Sequence, residues 1–101
     1  MSDDARTRTS QMTASSAQIC RDLGWQPGTR LEAVMTPAEL RLRRGPDCEH
    51  DDEAEPLKIA IVITAIGESK ILARCVLVEN REVQREEGIW QLTNRDWERV
   101  Q

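Results

Sequence analysis

Phenylalanine and tyrosine are absent from the 101 residues, and Trp25, Trp90 and Trp97 are the only aromatic side chains. Any core must therefore be filled by Leu, Ile, Val and Ala around three indoles. Lysine is scarce as well: Lys58 and Lys70 are the only two, so nearly all positive charge is arginine. Histidine occurs once, as His50, and cysteine three times, as Cys20, Cys48 and Cys75. Three widely spaced cysteines are neither a secreted disulfide framework nor a zinc pattern, and read as reduced thiols of a cytoplasmic protein. No apolar run approaches the ~20 residues of a membrane helix, and the N-terminus lacks a signal-peptide core. Glycines 24, 28, 45, 67 and 88 are isolated, so there is no phosphate-cradling loop.

Charge is what the chain has in quantity. Charged residues make up 32% of the sequence, and the formal net charge is -4. An acidic total disfavours direct, sequence-independent nucleic-acid binding and favours a protein partner with a basic surface. The length allows one domain.

Residues 1–14 are polar and without periodicity, which predicts a disordered tail, with a single β-rich domain over 15–101. Thr13, Ser15 or Ser16 is placed to cap a short helix through Ala17, Ile19, Cys20 and Leu23, ended by Gly24. Pro27-Gly28 signals a type II turn, and Arg30 to Met35 alternates loosely as a strand. Glu39 to Arg43 alternates with period two, although Thr36-Pro37 also suits a helix start, so both readings stay open.

Residues 44–56 form an acidic loop: Asp47, Glu49, Asp51, Asp52, Glu53 and Glu55 fall within nine positions. Self-repulsion keeps such a segment solvated. The β-branched run Leu57 to Ile66, a turn at Gly67 to Lys70, and Ile71 to Val78 predict an antiparallel hairpin. Residues 79–87 read as a charged connection carrying Glu82, Glu86 and Glu87, with Val83 as an inward anchor. Gly88 to Leu92 predicts another strand. A turn capped by Thr93 or Asn94 then places Trp97 and Val100 on the core. The expected fold is mainly β, with four or five antiparallel strands in a curled sheet or SH3-like barrel and a short N-terminal helix.

Two stretches resemble an uncharacterised family of small bacterial and phage proteins. They are Arg21 to Trp25 with Pro27 to Glu32, and Ile63 to Glu68 leading to Ile71 to Arg74. The ending Trp90 to Thr93 with Arg95 to Trp97 belongs to the same pattern. The resemblance brings no established activity; it implies a coherent domain and a phage origin. A local likeness, Leu23 to Glu32 followed by Leu40 to Arg43, is similar to the swapped-hairpin antitoxin and transition-regulator family. That likeness implies a DNA-binding dimer, but it leaves the hairpin of residues 57–78 unaccounted for.

Candidate chemistry is thin. Cys48, Glu49, His50, Asp51 and Asp52 hold ligand atoms, yet neighbours on one loop rarely converge on an ion, so no metal or other cofactor is expected. Cys75, among Ala73, Val76 and Leu77, reads as a buried inert thiol, and Cys48 is weakened by surrounding carboxylates. Asp96 beside Trp97 reads as a cap or a salt-bridge partner of Arg95 or Arg99. The three tryptophans offer a stacking platform for bases, or, more simply, core.

These observations predict a non-enzymatic acidic interaction protein. Its expected partner-binding carboxylates are the six of 47–55 with Glu82, Glu86 and Glu87. Together with the phage resemblance, they point to an inhibitor of the anti-CRISPR kind, a DNA mimic blocking a basic nucleic-acid site on a host defence complex. One alternative is a DNA-binding regulator or antitoxin using Arg41, Arg43 and Arg44; on a strand, Arg41 and Arg43 project from one face about 7 Å apart. Another is a prophage or housekeeping adaptor.

Overall fold

The computed structural model describes residues 9–35 and 57–100. The expected strand or helix at 36–43 and the acidic loop 44–56 lie outside the described residues. Among the described residues, six strands form one antiparallel sheet: β1 (Arg30–Met35), β2 (Leu57–Ile66), β3 (Ile71–Val78), β4 (Arg81–Glu82), β5 (Gly88–Trp90) and β6 (Glu98–Val100). Their order is β4-β3-β2-β1-β6, with β5 pairing the other half of β3. β4 and β6 are two and three residues long, too short to leave a period-two signature, so the sequence pattern counts fewer strands. They lie at opposite edges, and the sheet is open. The curled-sheet expectation holds and the closed barrel does not.

The β2–β3 hairpin forms over the expected residues. Its register runs from Ile59 opposite Val78 to Ile66 opposite Ile71, with two shifts that leave Thr64 and Val76 as extra residues. Such bulges bend and twist the sheet locally. The Val76 carbonyl accepts the Val83 N–H at 3.0 Å, so this bulge also anchors the chain beyond β4. β3 turns into β4 through Glu79 and Asn80, at φ 51° and 66°. Two successive positive φ values between paired Val78 and Arg81 make a type I′ hairpin, whose twist matches that of its strands.

Helix α1 (Ser16–Leu23) has its predicted caps. The Ser15 hydroxyl accepts the Gln18 N–H at 3.2 Å. Gly24 takes φ 75°, and its N–H reaches the Arg21 carbonyl while the Trp25 N–H reaches that of Cys20, a Schellman ending. Eight residues do not hold a helix alone. Ala17, Ile19 and Cys20 are fully buried, and the Ala17 N–H donates to the Ser69 carbonyl at 3.2 Å. The Arg21 guanidinium donates to the carbonyls of Gly67 and Glu68, tying the helix to the β2–β3 turn. Leu23, expected on the buried stripe, is instead exposed. The turn at Pro27 is as predicted: Gly28 has φ 97°, and the Thr29 N–H returns to the Gln26 carbonyl at 2.9 Å.

The core occupies one face of the sheet. Leu31, Ile61, Ile63 and Ile71 are fully buried there with Leu92 and Trp97, and Trp25 is nearly so. Part of the expected tail is also packed. Thr9–Gln11 form a 3-10 turn, and Met12 and Ala14 rest against the core. The fully buried Thr9 hydroxyl accepts the Trp97 N–H and donates to the Arg95 carbonyl. One polar side chain thus satisfies two backbone groups near the C-terminal end, which burial alone would not do. In the same region no helical turn forms at Thr93 or Asn94. Trp97 is buried as expected, but Val100 is only half-buried, in β6.

Candidate functional site

Of the carboxylates read as partner-binding, Glu82, Glu86 and Glu87 lie among the described residues, and all three are exposed. Glu82 sits in β4 opposite Leu77. The connection that follows is held at both ends. Val83 packs on the core and donates its N–H to Val76, while the Glu87 carboxylate accepts from the bulged Thr64 hydroxyl. Glu87 thus works for the fold, and Glu82 and Glu86 face outward from an anchored segment. Residues 79–87 hold four acids against Arg81 and Arg85, so this edge is acidic by a small margin.

Asp47, Glu49, Asp51, Asp52, Glu53 and Glu55 lie outside the described residues, as do the alternative nucleic-acid contacts Arg41, Arg43 and Arg44. The Cys48–His50 stretch lies outside as well. Among the described residues, no three His, Cys, Asp or Glu side chains are grouped to hold a metal ion.

The remaining candidates resolve towards structure. Cys75 is buried, with its Sγ donating to the Leu77 carbonyl at 3.5 Å. Cys20 is fully buried, and desolvation pushes its thiol up to about 11, against a smaller opposing pull from Arg21. A protonated, enclosed thiol is a poor nucleophile. Trp25 and Trp97 are too buried to stack on bases. Trp90 is half-buried, set edge-on to Trp97 with ring centroids 6.1 Å apart, and the Arg95 guanidinium lies over the Trp97 ring, 5.8 Å from its centre. Asp96 is exposed.

Depressions on the described surface include two lined by described residues. One, of about 520 Å³, lies at the Pro27-Gly28 turn and includes Arg30 and Arg99. The other, of about 320 Å³, lies between Ser15, Ser69, Lys70, Trp90 and Thr93. Neither of these two linings contains a carboxylate, imidazole or thiol. In the second, the Ser15 hydroxyl caps α1, and the adjoining Ser16 hydroxyl accepts the Leu92 N–H at 3.0 Å. Sequence reasoning missed Thr9, Ser16 and Arg21 as organising residues. Each acts through a partner far along the chain, so no local spacing announces it.

These features describe a small open-sheet protein with carboxylates on one sheet edge and no assembled reaction centre among the described residues. The chain belongs to a family defined as a domain of unknown function, DUF7241, whose model matches residues 14–101. No curated protein and no solved structure matches it. The packed Thr9 lies outside the matched span.

Proposed function

We propose that this is a non-enzymatic interaction protein whose acidic surface binds a basic site on a partner protein. In the more specific form, it is a phage-encoded, cytoplasmic inhibitor of the anti-CRISPR kind, occupying a nucleic-acid groove of a host defence complex. The observation that carries the reading is the anchored segment at the β4 edge, which presents Glu82 and Glu86 to solvent. Carboxylates on a fixed backbone lose less freedom on binding than carboxylates on a loose chain. Arginine-rich sites that take phosphates take such carboxylates by the same paired hydrogen bonds. The six acids of 47–55 add to the field that steers encounter with a basic groove.

The test is capture of partners from the native host with the tagged full chain, followed by a competition assay. A captured nucleic-acid-binding protein that releases its nucleic acid as this protein is added supports the inhibitor. Capture of a partner without any nucleic-acid activity removes the inhibitor and leaves an adaptor. A band shift with operator-sized DNA, abolished by R41A and R43A, would replace both with a regulator.

A further inference from the structure

The core covers one face of the sheet, and the register of the strands fixes what the other face carries. One row across it reads Glu82, Leu77, Ala60, Glu32 and Glu98, from β4 to β6. The adjoining row reads Arg74, Val62, Arg30 and Val100. Lys58 and Val34 flank the first row, and Ile89, Leu72 and Ala65 continue beyond the second. Val34 and Ile89 are 50% and 62% exposed, and Val62, Leu72 and Leu77 are half-buried. Glu32 is held by Arg30 at 3.5 Å and Lys58 at 3.8 Å.

We propose that this face pairs with the same face of a second copy, forming a two-fold homodimer. Consider a two-fold axis parallel to the rows and lying between them, above the sheet. It sets the acidic row of one copy against the basic row of the other. Glu32 then meets the second copy's Arg30 while Arg30 meets its Glu32, and Glu82 comes within one strand spacing of its Arg74. Ala60 is fully buried beneath its neighbours, so the half-buried Val62 and Leu77 supply the apolar contact at the centre.

Charge argues for a second copy rather than an unrelated partner. The chain as a whole carries -4, so two copies repel overall. This face balances, with Glu32, Glu82 and Glu98 against Arg30, Arg74 and Lys58: the three acids share one row, Arg30 and Arg74 share the adjoining one, and Lys58 flanks the acidic row. Five strands and four rows cover roughly 500 Å² per copy by strand spacing, at the small end for specific interfaces, so a weak, micromolar dimer is expected. The interface takes Glu82, one of the two described carboxylates of the proposed partner surface, and leaves Glu86 outside the paired rows.

Sedimentation of the full chain from about 1 µM to about 300 µM tests this. The wild type goes from monomer to dimer, and added salt raises the dissociation constant. E32R alone and R30E alone each weaken self-association roughly tenfold or more, because each sets like charges face to face at both 30/32 pairs. An equimolar mixture of the two variants restores a dimer, since the reversed charges complement one another across the axis. A wild type that stays monomeric throughout overturns the proposal. So does a dimer that survives both single reversals. Circular dichroism checks that each variant folds; should either fail, the exposed Arg74 supplies R74E as the substitute, expected to weaken the dimer, and an unchanged dimer constant overturns the proposal.

Discussion

Thr9 and Trp97 are joined across 88 positions by one hydroxyl, which accepts the Trp97 N–H at 3.0 Å and donates its own O–H to the Arg95 carbonyl at 2.7 Å. That hydroxyl is buried, so water does not replace it if it is lost. Thr9→Val keeps the shape and removes both bonds. The expected cost is about 1–3 kcal/mol, the usual penalty for stranding buried polar groups. A urea midpoint that shifts down with an unchanged slope confirms it; an unmoved midpoint contradicts the packing of the N-terminal segment.

Asn80 carries a second load. It holds φ 66° in the β3–β4 turn, its side-chain carbonyl accepts the Lys58 N–H at 2.8 Å, and its own N–H reaches the Lys58 carbonyl. Asn80→Ala loses the side-chain bond and places a Cβ residue less tolerant of positive φ in the turn. Destabilisation of about 1–2 kcal/mol is expected. Asn80→Gly relieves the backbone part alone and should fall between the two. Equal stability of all three proteins would remove this account of the turn.

Cys20 makes stability fall at high pH. Burial raises its thiol to about 11 in the folded state, above the ordinary value of an unfolded thiol. Its contribution is therefore intact below the unfolded pKa and is lost as pH rises through the folded one. The native protein should also leave Cys20 and Cys75 unlabelled by a thiol reagent at neutral pH, and expose them only on unfolding. Cys20→Ala flattens the decline above pH ~9. A wild type and variant with parallel pH profiles would show that the thiol is not enclosed.

Much of this fold is legible locally. The β-branched runs of β2 and β3, the Ser15 and Gly24 caps of α1, and Pro27-Gly28 are signals carried within a few residues, where backbone preference and burial agree. β4 and β6 are not legible, because two or three residues carry no period. The packing of Thr9 is not legible either, since its partners are at the far end of the chain. Leu23 fits the apolar spacing of α1 but falls at the last helical position and is exposed. For the candidate site, the sequence marks Glu82, Glu86 and Glu87 alike. Only the fold separates Glu87, bonded to Thr64, from the two that face solvent.

The central claim is that the outward carboxylates bind a basic partner, and a dissociation constant measures it. The variant to compare replaces Asp47, Glu49, Asp51, Asp52, Glu53, Glu55, Glu82 and Glu86 by Asn or Gln, leaving Glu87 on Thr64. With the captured partner, calorimetry at low and moderate salt should show binding weakened roughly a hundredfold, with the salt dependence largely gone. A folded variant that binds as tightly as the wild type contradicts the account.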